Sequence, residues 1–134
     1  MINKPFIINF PKIGSDITGF ISVCEKQNLP FQTKRVYWTY KVPDEFNRGG
    51  HAHLNLEQIL LVLSGEIQVK IELINGESYE FILNNPHIGL YIPKMSWRTL
   101  KYFGDAVQVC LASMEYEEKD YIRSYDDFKR YMDN

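Results

Sequence analysis

The stretch Arg48–Gly65, RGGHAHLNLEQILLVLSG, decides the fold of this chain. It opens with two glycines and the pattern His51-Ala52-His53, continues into an apolar run and ends in glycine. Because successive strand side chains point to opposite faces, His51 and His53 share a face, about 7 Å apart, and Ala52 points the other way. The stretch therefore predicts a strand that aims two imidazoles into one space, followed by a strand buried on both faces.

Turn signals at intervals of about ten residues divide most of the chain into short strands. In RVYWTYKV, residues 35–42, alternation places Tyr37 on one face and Val36, Trp38 and Tyr40 on the other, which we expect to be core. Asn75-Gly76 predicts a hairpin and Ser64-Gly65 a second turn. Near the end of the sheet region, SWRTLKYF (96–103) and AVQVCLAS (106–113) are predicted as two separate strands. We predict about eight to ten strands, arranged as an all-β sandwich or small barrel.

The periodicity changes after Ser113. Tyr121, Tyr125 and Phe128 are spaced for one face of a helix, which Asp126 is suited to cap. We expect this tail to pack over the barrel, with Asp120 and Arg123 as a surface ion pair.

Composition excludes several classes of function. The chain has 134 residues and a net charge of −2, so we expect one domain, residues 1–134, with no nucleic-acid or membrane partner. Cys24 and Cys110 lie in apolar segments and are predicted to be buried free thiols of a reducing compartment. With no signal-peptide pattern and no long apolar run, a cytoplasmic location is expected.

The two histidines suit either metal ligation or proton transfer. His51, His53 and Glu57 have the spacing of three ligands in a β-barrel metal site. Such barrels add a later histidine, but Trp97 and Arg98 occupy that position, and neither ligates a divalent cation. We therefore predict no metal and treat His51 and His53 as acid–base candidates, with a hydrogen-bonded core pair as the alternative.

Three arginines are predicted to approach the same region. Arg48 and Arg98 come from two hairpins, and Arg35 begins the strand that carries Tyr37. Arginines that converge on a pocket favour a bidentate oxyanion such as phosphate, although each one alone is typical of a solvated strand end.

Four segments together resemble a known family: RVYWTYKV, RGGHAHLNLEQILLVLSG, IGLYIPKMSWRTL and the closing LASMEYEEKDYIRSYDDF. In order, and over roughly residues 5 to 130, they are similar to the cupin-fold, WxcM-like sugar 3,4-ketoisomerases that act on dTDP-4-keto-6-deoxyglucose. The resemblance implies an all-β cupin or jelly-roll barrel with a short C-terminal helical tail. It also implies a homodimer that exchanges N-terminal strands and uses neither metal nor cofactor.

The resemblance also implies roles for individual residues. His51 matches the catalytic base, His53 a second imidazole in proton relay, and Tyr37 and Arg48 fall at pocket positions. Arg98 matches members that give the gluco product, dTDP-3-keto-6-deoxyglucose, whereas Thr18 matches neither product type at a second position near the sugar. The alternatives are a galacto-type product, a dTDP-sugar 3,5-epimerase, and a non-catalytic cupin that binds a small anion.

Overall fold

A computed structural model describes residues 3–132. This part of the chain forms ten strands and one α-helix, with 3₁₀ turns at Lys26–Asn28 and Glu118–Asp120. The elements are β1 (Phe6–Asn9), β2 (Lys12–Ser15), β3 (Gly19–Ser22), β4 (Arg35–Thr39), β5 (Asn47–His53), β6 (Gln58–Leu73), β7 (Ser78–Leu83), β8 (Ile88–Ile92), β9 (Ser96–Ala112), β10 (Tyr121–Ile122) and α1 (Tyr125–Met132).

The two long strands β6 and β9 pair antiparallel along their length and belong to two layers. Their 58–62 and 108–112 segments carry β8 and β4 at the sides, and β1 pairs with β8. Their 67–72 and 98–101 segments carry β7 and β5, and β10 pairs with β5. Apolar side chains of both layers meet in one core, which includes Leu60, Val69, Leu90 and Leu100.

The bend between the two layers corrects two sequence predictions. Ser64-Gly65 is not a turn between strands: β6 continues through it, and its register against β9 shifts on both sides of Ser64. Gly65 has a φ of 75°, and a Cβ there would lie 2.6 Å from the Cα of Ala106, so only glycine fits. Two strands predicted in residues 96–113 are likewise the single strand β9.

The N-terminal strand has a neighbour within its own chain. Phe6–Asn9 pairs with Ile88–Ile92, whereas within residues 3–132 the β2–β3 hairpin pairs only with itself. That hairpin exposes three isoleucines, Ile13, Ile17 and Ile21. Exchange of N-terminal strands between subunits stays a prediction.

The helical tail is confirmed in part. The helix lies at 125–132, and Phe128 is fully buried against Ala52 and Ile122, on the side of β5 opposite the histidines. Tyr121 was expected on this helix but lies in strand β10, and Ser124 rather than Asp126 accepts a hydrogen bond, from the N–H of Asp127 at 3.4 Å. No helix in the described residues is long and apolar enough to cross a membrane.

Two expectations about burial are wrong. Val36, Trp38 and Tyr40 do share a face, but all three side chains are exposed, with Trp38 63% exposed. Cys24 is exposed too, since it follows the β2–β3 hairpin outside the core, while Cys110 is buried as predicted.

Candidate active site

A β-bulge in β5 brings the pocket residues to one face. Arg48 pairs with Leu100 and His51 with Arg98, so three residues of β5 span two of β9. Strict alternation would put Arg48 and His51 on opposite faces, but the extra residue restores them to the same face. Gly49 has a φ of 83°, and a Cβ there would lie 2.9 Å from the carbonyl oxygen of Arg98. The two glycines before His51 therefore build the site.

Four predicted site residues line one cavity of about 350 Å³: Arg35, Tyr37, Arg48 and His51. Its remaining walls come from β4, β5, β9, β10 and the residue after β10: Thr39, Gly49, Leu100, Tyr102, Gln108, Tyr121 and Arg123. Larger cavities, of about 730 Å³, 530 Å³ and 390 Å³, contain neither His51 nor His53. We assign the site by its ionisable side chains rather than by volume.

The two imidazoles lie in contact and are held neutral. Their ring centroids are 4.9 Å apart with the rings nearly perpendicular, and Tyr121 packs on both, at 5.1 Å from His51 and 4.3 Å from His53. Burial, with the nearby Arg98 guanidinium, lowers the pKa of His51 from 6.5 to about 4 and that of His53 to about 2. At neutral pH both rings are proton acceptors.

Arg98 lies behind the cavity rather than in its wall. Its guanidinium is buried, donates to the carbonyl oxygen of Ser96 at 3.2 Å, and donates to the side-chain oxygen of Gln58. The amide nitrogen of Gln58 in turn donates to the Tyr37 hydroxyl at 2.9 Å. Burial lowers the pKa of Arg98 to about 10, so it is still a cation at neutral pH. A buried positive charge is thus linked to the cavity wall by two hydrogen bonds.

Two other residues considered from sequence lie away from the histidines. Glu57 accepts a hydrogen bond from the Tyr91 hydroxyl at 2.5 Å, so it does not join His51 and His53 as a ligand set. Thr18 is exposed in the turn of the β2–β3 hairpin, where its hydroxyl bonds Ser15 at 2.9 Å, and it does not line the cavity of its own chain.

Asp120 is the residue that sequence reasoning misplaced. It is 5% exposed, and its carboxylate lies 3.3 Å from Nδ1 of His53, while Arg123 pairs with Glu118 at 2.7 Å. The expected surface pair of Asp120 and Arg123 is therefore wrong, because β10 turns the tail inward at this point. No local pattern signals this contact, because it depends on the pairing of β10 with β5, which places Tyr121 opposite His53.

Gln58 and Tyr121 were also missed. Gln58 is 4% exposed inside an apolar run, where a buried amide requires polar partners, and that was its signal. The spacing of Tyr121 from Tyr125 and Phe128 fits the period of a helix, so the sequence placed Tyr121 on a helix face. A tyrosine at this position is equally compatible with the period of a strand.

This geometry defines a class: a two-layered β fold with a cavity lined by a neutral histidine, a tyrosine and two arginines that form no ion pair within residues 3–132. These side chains suit acid–base chemistry on an anionic substrate. The comparisons identify the family. The family model described as WxcM-like, C-terminal (FdtA) matches residues 3–133. The chain belongs to this WxcM-like family of sugar 3,4-ketoisomerases.

Relatives support the same assignment. The TDP-4-oxo-6-deoxy-alpha-D-glucose-3,4-oxoisomerase of Aneurinibacillus thermoaerophilus is 40% identical over 98% of this chain and 94% of its own. The sugar 3,4-ketoisomerase QdtA of Thermoanaerobacterium thermosaccharolyticum was solved with TDP. It is 36% identical, with a TM-score of 0.91, over 99% of this chain and 97% of its own. A mutant of QdtA was also solved with TDP-4-keto-6-deoxyglucose.

A third relative is the WlaRB TDP-quinovose 3,4-ketoisomerase of Campylobacter jejuni. It is 39% identical over 96% of this chain and 99% of its own, with a TM-score of 0.88. The expected cupin-like fold with a short C-terminal helix, and the expected class of enzyme, are confirmed.

Proposed function

We propose that this protein moves the keto group of dTDP-4-keto-6-deoxyglucose from C4 to C3, with His51 as the general base. The observation that carries the proposal is the position of His51: a neutral imidazole in the wall of a cavity that Arg35 and Arg48 also line. A base of this kind must be unprotonated at cellular pH, and burial meets that requirement. QdtA, which binds TDP-4-keto-6-deoxyglucose as a mutant, supports the choice of substrate.

The reaction needs two proton transfers and no change in overall oxidation state. His51 takes the proton from C3, next to the C4 ketone, and the electron pair moves to give an enediolate. A proton then returns to carbon C4, and the proton of the C3 hydroxyl moves to the C4 oxygen, so the ketone forms at C3 and a hydroxyl at C4. His53, in edge contact with His51, is proposed to relay protons between these positions.

The developing negative charge has stabilising groups nearby. Burial raises the pKa of Tyr37, so its phenol is neutral at cellular pH. The hydroxyl oxygen of Tyr37 accepts from Gln58, which leaves the hydroxyl hydrogen able to donate to another acceptor. The Arg98 cation behind Gln58 reinforces this donor electrostatically. We assign Tyr37 to hydrogen bonding of the substrate oxygens.

The diphosphate is assigned to the arginines at the mouth of the cavity. Within residues 3–132 neither Arg35 nor Arg48 forms an ion pair, and the Arg35 guanidinium lies over the rings of Tyr37, at 5.3 Å, and Tyr116, at 5.8 Å. Guanidinium groups without carboxylate partners suit a bidentate phosphate ligand.

The experiment is incubation with dTDP-4-keto-6-deoxyglucose in D₂O, with the sugar followed by NMR. We expect deuterium at C4 and a ketone at C3. Deuterium at C3 and C5 with the C4 ketone intact would instead identify a 3,5-epimerase. No exchange would leave a protein that only binds the sugar nucleotide.

We further propose the gluco product, dTDP-3-keto-6-deoxyglucose, because Arg98 matches the residue of that type. Replacement Arg98→His should shift the product toward the galacto epimer, in part only, since Thr18 is unchanged. The C4 configuration of the product, read from proton couplings, tests this. An unchanged configuration in a folded, active variant would remove Arg98 as the discriminator.

A homodimer is proposed as the working assembly. The apolar β2–β3 hairpin is the segment suited to exchange, because it exposes Ile13, Ile17 and Ile21 and carries Thr18 away from its own cavity. In that arrangement Thr18 would approach the cavity of the second subunit. Sedimentation of the full chain, and of a chain lacking residues 11–23, tests it: both sedimenting as monomers would contradict the exchange.

A further inference from the structure

Asp120 is a buried carboxylate that the proposed reaction has not used. It closes the turn Glu118–Asp120 just before β10, and it accepts hydrogen bonds from the N–H of Asn55 at 2.9 Å, the side-chain amide of Asn55 at 3.2 Å and the N–H of Leu56 at 3.1 Å. These three donors fix the direction of both oxygens. One oxygen, Oδ2, lies 3.3 Å from Nδ1 of His53.

His53 is enclosed between the rings of His51 and Tyr121 and the carboxylate of Asp120. It is 1% exposed, and within residues 3–132 neither ring nitrogen makes a hydrogen bond of good geometry. The Nδ1–Asp120 approach is short enough but poorly aligned, as catalytic hydrogen bonds often are before the substrate binds. The carboxylate of Asp120 is thus the acceptor within reach of a proton on Nδ1.

The carboxylate selects between the two neutral forms of the ring. With the proton on Nδ1, the N–H faces an anionic oxygen, which is favourable. With the proton on Nε2, a nitrogen lone pair would face that oxygen at 3.3 Å, which is repulsive in a buried place. The first form also leaves Nε2 with a free lone pair.

We propose that Asp120 is a positioning residue that holds His53 as the Nδ1–H tautomer, so that Nε2 can accept and return a proton during the isomerisation. This role deepens the proposed function and rests on it. When Nε2 takes a proton, the ring becomes a cation beside the Arg98 guanidinium, and the Asp120 carboxylate is the anion that offsets the repulsion. Asp120 itself does not line the substrate cavity.

A purely structural role for Asp120 is the competing explanation, because the same carboxylate ties residues 55 and 56 to the tail. The tautomer separates the two. In full-length protein labelled with ¹⁵N-histidine, two-dimensional spectra of the ring nitrogens should show His53 protonated at Nδ1 and unprotonated at Nε2. Assignment comes from His51→Asn and His53→Asn. A wild-type His53 protonated at Nε2 would overturn the proposal, whatever the activity.

Variants extend the test. In Asp120→Asn the amide can donate to Nδ1, so the proton should move to Nε2 and kcat should fall at least about tenfold with KM little changed, as a wrong tautomer does elsewhere. Asn55→Ala, which removes the 3.2 Å side-chain bond to the same carboxylate, should leave the tautomer unchanged. If the Asp120→Asn protein folds and either keeps the Nδ1–H form or keeps its kcat, the positioning role is contradicted.

The outcomes also separate this proposal from the proposed function. If wild-type protein does not exchange deuterium at C4, the isomerase proposal fails, while the wild-type tautomer still tests the contact between Asp120 and His53. If exchange occurs and the tautomer is Nε2–H, the isomerase proposal stands and Asp120 has no positioning role.

Discussion

The arginines of β4, β5 and β9 and those of the C-terminal tail are treated in opposite ways. Arg123 donates to Glu118 through two nitrogens, at 2.7 Å and 2.8 Å, and Arg130 pairs with Asp127 at 3.1 Å. Within residues 3–132, Arg35, Arg48 and Arg98 form no ion pair. The tail pairs its own charges, including that of Arg123, which also lines the cavity, whereas the three arginines of β4, β5 and β9 have no carboxylate partner among the described residues.

The difference in ion pairing between the two groups of arginines indicates where a ligand binds. Exposed ion pairs contribute about 0 to 1 kcal/mol and are ordinary surface features. A buried guanidinium without a carboxylate is costly, and such groups persist where they serve chemistry or binding. Arg98 meets this description, since it is 2% exposed and satisfied only by neutral oxygens. The unpaired cations surround the two neutral imidazoles, so charge and proton acceptor are provided in one place.

The largest expected effect comes from the centre of the cavity. His51→Asn should lower kcat by at least about a hundredfold, the usual contribution of a positioned acid or base, while the protein stays folded. The measurements are steady-state kinetics with dTDP-4-keto-6-deoxyglucose and circular dichroism. Undiminished turnover in a folded variant would show that His51 is not the general base. The arginines without ion pairs would then not mark a catalytic group.

Arg48→Ala should act on binding. Hydrogen bonds to charged groups contribute about 1.5 to 3 kcal/mol, so KM and the Kd for TDP should rise about tenfold to a hundredfold, with kcat less affected. Binding by the wild type should weaken as salt is added, because Arg48 is exposed. Calorimetric titration with TDP at two salt concentrations measures both. A Kd that Arg48→Ala leaves unchanged would place the diphosphate elsewhere.

The sequence was sufficient for the alternation-based features. Tyr37 faces the cavity, and His51 and His53 share a face, because β4 and the end of β5 are regular strands. It was insufficient where backbone irregularity decides. The bulge at Gly49 and Gly50 restores Arg48 to the face of His51, and the bend at Gly65 keeps β6 continuous. Glycine pairs signal either a turn or a bulge, and only the partner strand selects between them.

Contacts between distant segments were also beyond local pattern. Asp120 lies 67 residues after His53, and its burial depends on the pairing of β10 with β5. Arg98 was expected in the cavity wall, but its partners Gln58 and Ser96 draw it behind the wall. Thr18 does not line the cavity of its own chain.

Acid pH should separate the two regions by their effect on stability. The folded protein holds the pKa of His51 near 4 and of His53 near 2, below the ordinary 6.5, so the unfolded chain binds more protons between pH 7 and pH 4. Stability is therefore lost as pH falls through this range, on the order of 2 kcal/mol for each of the two imidazoles between pH 7 and pH 5.

The tail should not contribute to that loss. Arg123 lowers the pKa of its partner Glu118 to about 2, so this pair breaks only in stronger acid. Urea unfolding at pH 7 and pH 5 measures the change, and His51→Asn should reduce it. If His51→Asn loses as much free energy of unfolding between pH 7 and pH 5 as the wild type does, His51 is not held neutral by the fold.

The smallest effect is expected at the tail. Arg130→Ala removes one exposed i, i+3 ion pair with Asp127 and should change the free energy of unfolding by no more than about 0.5 kcal/mol. Because Arg130 does not line the cavity that His51 lines, kcat, KM and the Kd for TDP should stay at wild-type values. The same titration and urea experiments used for Arg48→Ala give the matched comparison. If Arg130→Ala weakened TDP binding as much as Arg48→Ala, pairing with a carboxylate would not distinguish structural arginines from ligand-binding ones.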